Sequence, residues 1–414
     1  MRDAGPQKRA VTHDVTNTAR AQLLHEIAAS FRLGASAFVP CLEGRMNSVG
    51  DRVACPFCCH GRIRIDMYAA AGHHAPDFFS DDNKRQAGGM TAVHAFVFPG
   101  QGSQAVGMGQ ALHDAFPAAR AVFQEVDDAL GQHLSTLMFT GDAAELTRTE
   151  NAQPALMAVS IATLRALEHE GGFRLADKAA LVAGHSLGEY SALAATGAFG
   201  LAETARLLRL RGQAMQRAVP EGIGGMAALI GVDPDQARAI CEAAAVVPVD
   251  DGAEPAREVI ELANDNGGGQ IVVSGAIGAV ERAIAIAKER GVKRAVLLPV
   301  SAPFHCSLMK PAADAMGEAL ERANIAEPVV PVVANVTAAK MRTPAEIRDL
   351  LVRQVTGSVR WRESVMAMAG MGVTSVVELG AGRVLAGLVR RIDSSLATAS
   401  AGTPDEIEAL LKTF

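Results

Sequence analysis

From Met90 onward, short apolar runs alternate with longer amphipathic segments. Runs such as HAFVFPG (94–100) and AALVAGHS (179–186) end in glycine, proline or serine, which predicts buried strands. Segments such as PALMAVSIATLRALEHEG (154–171) and LAETARLLRLRGQAMQRAV (201–219) carry apolar residues at helical spacing. The alternation predicts an α/β fold built on a parallel, doubly wound sheet.

The rhythm changes over residues 225–300. There the pattern runs strand, helix, strand, strand, helix, strand, from GGMAALIGV (224–232) to VKRAVLLPV (292–300). This βαββαβ order predicts a ferredoxin-like subdomain inserted into the larger fold. Alternation then returns, with a helix at 311–325, a strand at 328–336 and a strand–turn–helix at 374–392. We therefore predict a catalytic core of residues 90–220 and 300–414 and a subdomain of residues 221–299.

Residues 1–89 are polar and irregular, and we expect a disordered N-terminal extension with one helical stretch, TARAQLLHEIAASFRL. The segment contains a cluster of zinc-ligand residue types, namely Cys55, Cys58, Cys59, His60, His73 and His74. A second cysteine pair at zinc-finger spacing is absent from it, so we predict no metal site.

Composition narrows the class of protein. The chain has 414 residues, of which 49% are hydrophobic, so it can bury a large core in two or three domains. A net charge of −6 without a long basic stripe argues against nucleic acid as a partner. No uncharged apolar run reaches membrane-spanning length and no secretory signal begins the sequence. The scattered cysteines are typical of a reducing compartment, so we expect a cytoplasmic protein.

The segment VAGHSLGEYSAL contains Gly-His-Ser-Leu-Gly at 184–188, at a predicted strand-to-helix junction. This is the pattern of a nucleophile elbow, in which glycines allow a serine to occupy a strained turn. The following helix would direct a free backbone N–H, that of Leu187, at a developing oxyanion. The alternative is an ordinary tight turn with a serine facing solvent.

A nucleophilic serine needs a base, and His305 is the candidate. It follows a predicted strand in LLPVSAPFHCSLMKP, at a loop where a base belongs in an open α/β sheet. His185 adjoins the serine, but neighbours on a strand-to-turn path point apart. No acidic partner for His305 is evident from spacing, and a backbone carbonyl could fix its tautomer instead. The loop FPGQGSQ could supply a second oxyanion donor from Gln101.

Several motifs, in order, resemble those of the malonyl-CoA:acyl-carrier-protein transacylases, acyltransferases of fatty acid synthesis whose fold also serves polyketide synthases. The motifs are FPGQGSQ, GHSLGEYSAL, RLRGQAMQ, GGMAALIG, FHCSLMKPAA and ELGAGRVLAGLVRRI, and they extend from residue 93 to about residue 393. The resemblance implies an α/β-hydrolase-like core with a parallel sheet and an inserted ferredoxin-like subdomain.

The resemblance also implies roles for individual residues. Ser186 corresponds to the nucleophile and His305 to the base, and Gln101 and Leu187 to the backbone donors of the oxyanion hole. Three further residues belong to the implied substrate-binding set. Arg211 matches the arginine that holds the malonyl carboxylate, Gln354 matches a residue whose main-chain carbonyl orients the histidine, and Phe304 matches a bulky position associated with malonyl units.

The implied reaction is transfer of a malonyl group from malonyl-CoA to the phosphopantetheine thiol of acyl carrier protein, by a ping-pong mechanism through a malonyl-serine. Malonyl-CoA is then a substrate, no cofactor is implied, and the family is commonly monomeric. Three alternatives remain open. They are a serine esterase or thioesterase, a trans-acting acyltransferase of polyketide synthesis, and a carrier-binding scaffold with an inactive site.

Overall fold

The computed structural model describes residues 92–248 and 256–414. The strands are β1 His94–Phe98, β2 Ala179–Gly184, β3 Gly224–Ile230, β4 Ile260–Asp265, β5 Gln270–Ala276, β6 Arg294–Leu297, β7 Val332–Val333, β8 Lys340–Met341, β9 Ser375–Leu379 and β10 Ala397–Ala401. The helices are α1 Gln110–Ala115, α2 Pro117–Leu130, α3 Leu134–Thr140, α4 Ala143–Thr147, α5 Thr149–Gly171, α6 Leu175–Lys178, α7 Leu187–Ala195, α8 Leu201–Ala218, α9 Pro234–Ala244, α10 Ile277–Glu289, α11 Lys310–Arg322, α12 Pro344–Thr356, α13 Trp361–Gly370, α14 Val384–Ile392 and α15 Pro404–Leu411. The predicted extension of residues 1–89, with its helical stretch and its cysteines and histidines, lies outside the described residues.

The larger sheet has six strands in the order β10-β9-β1-β2-β7-β8. Its pairs are parallel except for β8, which runs antiparallel to β7. The central strand β1 is apolar on both faces. Phe96 and Phe98 pack on the side of α5, α7 and α8, and Ala95 and Val97 pack on the side of α13 and α14. Because both faces are covered by helices, the predicted parallel α/β arrangement is observed for this sheet.

The smaller sheet has four strands in the order β4-β5-β3-β6, and each neighbouring pair is antiparallel. Helices α9 and α10 supply Ile240 and Val280 to an apolar cluster that also holds Leu229 and Val273 of the sheet. Side chains alternate across a strand, so the face of this sheet opposite α9 and α10 carries a second set of side chains that can line a cavity.

Several predicted elements are shorter or longer in the structure. The strands predicted at 292–300 and 328–336 are β6 and β7, and each is shorter than predicted. Prolines at 299, 328 and 331 lack the backbone N–H that a strand donates to its neighbour, and this limits the lengths of β6 and β7. Helix α5 begins at Thr149 rather than at Pro154, because a single missing hydrogen bond does not stop a helix buried along most of its length.

Among the helices of the two described ranges, none combines the length and the apolar character needed to cross a membrane.

Candidate active site

The turn at 184–188 is a sharp strand-to-helix corner, where β2 ends at Gly184 and α7 begins at Leu187. Ser186 between them has φ 54° and ψ −109°, a conformation that costs an L-residue free energy. A Cβ on Gly184 would lie 1.9 Å from the carbonyl carbon of Gly188, and one on Gly188 would lie 2.2 Å from the Phe98 carbonyl oxygen. Both glycines are therefore needed for the close approach of backbone segments that presents the serine.

Asn335, just beyond β7, holds the strained corner from the neighbouring strand. Its Oδ1 accepts from the Ser186 N–H at 2.8 Å, and its Nδ2 donates to the Gly184 carbonyl at 2.7 Å. Asn335 is buried. Two bonds from one planar carboxamide fix the backbone on either side of His185, and this stabilises a turn that local propensity disfavours.

His305 meets Ser186 from a loop before α11. Its Nε2 lies 2.7 Å from Ser186 Oγ, and its Nδ1 lies 2.9 Å from the Gln354 carbonyl oxygen and 3.1 Å from that of Gly357. Carbonyl oxygens only accept, so the Nδ1 carries the proton and Nε2 is free to accept from the serine hydroxyl. Burial, together with the nearby Arg211 charge, lowers the pKa of His305 to about 3, which favours the neutral imidazole.

Arg211, on α8, is buried beside the serine, with 1% of its surface exposed. Its Nη1 donates to Gln153 Oε1 at 2.7 Å, and its Nη2 donates to Gln354 Oε1 at 2.9 Å and to Ser186 Oγ at 3.2 Å. Its guanidinium also lies over the Tyr190 ring, 5.7 Å from the centroid. These direct partners are uncharged, and burial lowers the pKa of the guanidinium. A cation in such surroundings is costly until an anion pairs with it.

A line of hydrogen bonds connects Arg211 to the loop after β1. Gln153 receives from the guanidinium and donates through Nε2 to Thr149 Oγ at 2.9 Å. The Thr149 hydroxyl then donates to Gln101 Oε1 at 2.9 Å. Gln153 and Thr149 are buried, so the line fixes the orientation of the Gln101 side chain from inside the protein.

The two expected oxyanion donors, Gln101 and Leu187, line one cavity with the serine. Leu187 is the first residue of α7, where an amide has no helical carbonyl one turn earlier. Gly100 brings the Gln101 loop against the elbow, since a Cβ there would lie 2.7 Å from the His185 carbonyl oxygen. Both backbone segments therefore reach the space above Ser186.

The cavity measures about 430 Å³. Ser186, His305 and Arg211 line it, together with Phe304 beside the histidine. Other lining residues come from the strands and loops of the smaller sheet, namely Met226, Asn264, Leu298, Pro299 and Val300. The His185 ring also contributes to the lining, but its Nε2 bonds to Asn266 Oδ1 at 2.9 Å rather than to the serine.

Glu189 and Gln354 join these groups behind the cavity. Gln354 Nε2 donates to the Ser186 carbonyl and to Glu189 Oε2, each at 2.9 Å. Glu189 is fully buried, and burial raises the pKa of its carboxyl to about 7. Gln354 thus contacts the nucleophile, the base and Arg211 with different atoms.

Sequence reasoning missed four residues of this network, Asn335, Gln153, Thr149 and Glu189. The sequence contains features that point to two of them, Asn335 and Glu189. Asn335 follows an apolar strand of the parallel sheet, at the edge where functional residues collect. Glu189 is the charged residue of an otherwise apolar helix segment, LGEYSALAA. Within residues 92–248 and 256–414, no cluster of three or more histidine, cysteine or acidic side chains suits a metal ion.

Comparison with known proteins identifies the family of this chain. The family model of the acyl transferase domain matches residues 95–403. The chain belongs to the acyl transferase family. A relative of this acyl transferase, the malonyl CoA-acyl carrier protein transacylase of Bacillus subtilis (strain 168), is 44% identical over 320 residues, which cover 77% of this chain and 96% of the relative. The resemblance predicted from the motifs is thereby confirmed.

Solved structures of acyl transferases are also similar to this chain. The acyl-carrier-protein-S-malonyltransferase from Bartonella henselae is 53% identical, with a TM-score of 0.73, over 77% of this chain and 98% of that chain. A type II PKS acyl-carrier protein in complex with its malonyl-transacylase gives 41% identity and a TM-score of 0.73, over 78% of this chain and 100% of that chain.

Proposed function

We propose that this acyltransferase transfers the malonyl group of malonyl-CoA to the phosphopantetheine thiol of acyl carrier protein, in fatty acid biosynthesis. One observation carries the proposal. The buried Arg211 guanidinium lies 3.2 Å from Ser186 Oγ, and its direct partners are uncharged. An acyl group that ends in a carboxylate can supply the missing anion, whereas an acetyl group cannot.

In the first half-reaction, His305 Nε2 takes the proton of Ser186 Oγ as the oxygen attacks the thioester carbonyl carbon. The backbone N–H groups of Gln101 and Leu187 stabilise the oxyanion. The intermediate collapses, the carbon–sulfur bond breaks, and the CoA thiolate takes the proton from His305. A malonyl ester of Ser186 remains.

The second half-reaction reverses these steps with the carrier thiol. The thiol gives its proton to His305, its sulfur attacks the ester carbonyl, and Ser186 leaves with the proton returned to Oγ. The two thioesters are similar in energy, so the protein needs to lower barriers and exclude water rather than drive the equilibrium. The proposed residues supply every proton and oxyanion contact, so no resident cofactor is required.

The orienting groups of His305 support this assignment over a hydrolase with an acidic triad member. Its Nδ1 faces the carbonyl oxygens of Gln354 and Gly357, at 2.9 and 3.1 Å. Carbonyls fix the tautomer without adding a buried negative charge beside the incoming malonyl carboxylate. Phe304, which lines the cavity beside the base, is proposed to limit substituents on the malonyl carbon.

For the fold, we propose an α/β-hydrolase-like core of residues 90–220 and 300–414 and a ferredoxin-like subdomain of residues 221–299. The strand order β6-β3-β5-β4, antiparallel throughout, supports the second part, because it is the order expected of a βαββαβ unit. We also propose a cytoplasmic monomer. The buried free thiols of Cys241 and Cys306 favour a reducing compartment, and the proposed site draws its residues from one chain.

Intact mass spectrometry after mixing with malonyl-CoA tests the reaction. The expected result is an adduct of malonyl mass that is lost in Ser186→Ala and discharged by holo acyl carrier protein. Release of free malonate faster than transfer would favour the esterase alternative. Rates with one fatty-acid carrier and one polyketide carrier, compared side by side, decide between the two biosynthetic settings.

A further inference from the structure

Glu189 is an ionisable side chain without surface exposure, three residues after the nucleophile. Its Oε2 accepts from Gln354 Nε2 and from the Asn335 backbone N–H, each at 2.9 Å. Its Oε1 has no hydrogen-bond partner among the described residues. Burying a carboxyl group is costly, so its retention at this place calls for a role.

The Gln354 carboxamide needs one orientation and not its flipped form. Its Nε2 faces two acceptors, Glu189 Oε2 and the Ser186 carbonyl, and its Oε1 faces the donating Nη2 of Arg211. A flip would set the NH₂ group against the guanidinium and the oxygen against both acceptors. The carboxylate of Glu189 therefore selects the orientation that offers Arg211 an acceptor.

We propose that Glu189 is a positioning residue, which fixes the Gln354 side-chain amide and thereby aims the Arg211 guanidinium at the acyl group on Ser186. The inference rests on the proposed malonyl transfer. A second path supports it, because the same carboxylate oxygen anchors the Asn335 backbone, and the Asn335 side chain holds the Ser186 N–H. Glu189 itself touches neither the reacting atoms nor the cavity.

Glu378, on β9, is a matched control. It is also fully buried, its Oε2 accepts from the Ala386 backbone N–H at 2.8 Å, and its Oε1 has no partner among the described residues. Burial raises the pKa of both carboxyls to about 7. Glu378 bonds to the first turn of α14 and is not among the hydrogen-bond partners of Gln354 or Arg211. Removal of either carboxylate should lower stability, but only Glu189 should change acyl preference.

The experiment measures kcat/KM for acylation of Ser186 by malonyl-CoA and by acetyl-CoA, in Glu189→Ala and Glu378→Ala. We expect the malonyl-to-acetyl ratio to fall at least fivefold in Glu189→Ala, mainly through a higher KM for malonyl-CoA, and to stay within twofold of wild type in Glu378→Ala. An unchanged ratio in folded Glu189→Ala, or an equal fall in both variants, would overturn the inference.

Two milder variants keep the test decisive if Glu189→Ala does not fold. Glu189→Gln retains an acceptor oxygen at the same reach and should restore the ratio to within twofold of wild type. Glu189→Asp withdraws the carboxylate by one methylene and should lower the ratio as alanine does; a wild-type ratio in Glu189→Asp overturns the inference. Wild-type enzyme in the same series separates the two proposals. If wild type forms no malonyl adduct, both proposals are overturned. If wild type forms the adduct but the malonyl-to-acetyl ratio is unchanged in the Glu189 variants, only the role of Glu189 is overturned.

Discussion

The Nη2 of Arg211 lies 3.2 Å from the Oγ of Ser186, so a permanent cation stands beside the atom that would carry the acyl group. The helix that carries the arginine begins at Leu201, after the helix that follows the serine has ended at Ala195. Packing of α8 against α5 and α7, rather than sequence proximity, creates the pairing. A nucleophile beside a desolvated guanidinium is suited to acyl groups with a terminal negative charge.

Arg211→Ala should therefore change substrate preference as well as rate. We expect kcat/KM for malonyl-CoA to fall by about 10- to 100-fold, since a hydrogen bond to a charged group contributes about 1.5–3 kcal/mol, while acetyl transfer falls less or rises. Steady-state rates with both CoA esters give the ratio. Arg209→Ala, on the same helix but outside the cavity lining, should keep the wild-type ratio. Equal ratios in the two variants would remove Arg211 from the substrate site.

The glycines of the elbow should tolerate no side chain. In Gly184→Ala the new Cβ would meet the backbone of Gly188 at 1.9 Å, so we expect a loss of about 3 kcal/mol or more, or failure to fold. Gly387→Ala, in α14, meets no atom within 4 Å and should stabilise the protein by up to about 1 kcal/mol. Thermal denaturation of both variants makes the comparison. A wild-type Tm for Gly184→Ala would show that the corner is looser than the structure has it.

The rate of acylation should not fall on acidification because of protonation of His305. His305 has a pKa lowered to about 3 from the ordinary 6.5, so the imidazole stays unprotonated, and able to act as a base, on acidification from about pH 8 to about pH 5. Glu189 has a pKa of about 7, so its protonation could lower the rate over the pH range expected for an ordinary histidine. Measurement of kcat/KM for acylation in wild type and in Glu189→Gln separates them. A midpoint near 6.5 that survives in the glutamine variant would contradict the low histidine pKa.

Thr149→Val should weaken oxyanion stabilisation without changing acyl preference. The hydroxyl links Gln153 to the Gln101 side chain, and valine has nearly the same shape but no hydrogen bond. We expect kcat to fall by about three- to tenfold for malonyl-CoA and acetyl-CoA alike, as loss of one ordinary hydrogen bond of about 1 kcal/mol allows. Thr163→Val is the control, because that hydroxyl of the same helix donates to the Val159 carbonyl one turn earlier. A large change in the malonyl-to-acetyl ratio would instead tie Thr149 to Arg211.

Local pattern predicted the strand–turn–helix around Ser186, because both the apolar run and the two glycines lie within one short segment. The place of His305 in a loop after a predicted strand also indicated it as the base, but the 2.7 Å contact between residues 119 positions apart depends on the tertiary fold. The resemblance to a family implied the same two residues. Helical periodicity alone does not predict the burial of Arg211, which arises from the packing of α8 against α5.

Element ends were the least predictable part of the fold. The pattern of 328–336 is apolar at every position except Asn335, yet only Val332–Val333 pair in the sheet. The flanking residues range from Val330 and Ala334, which are buried, to Val329, which is 67% exposed, and hydrophobicity does not distinguish these environments. Helices α1 to α4, between residues 110 and 147, were not predicted. Helices α1, α3 and α4 have 6, 7 and 5 residues, and α2 begins at Pro117 and is followed by Gly131.

The walls of the cavity have separate origins. Ser186 lies where β2 of the six-stranded sheet meets α7, and Arg211 lies on α8, which packs on α5 and α7. Met226 and Leu298 come instead from the four-stranded sheet and its continuation. Divergence in the small sheet can thus reshape the space for an acyl chain while the proton-transfer pair keeps its distances. A scaffold divided in this way can acquire new donor substrates through substitutions remote from its nucleophile.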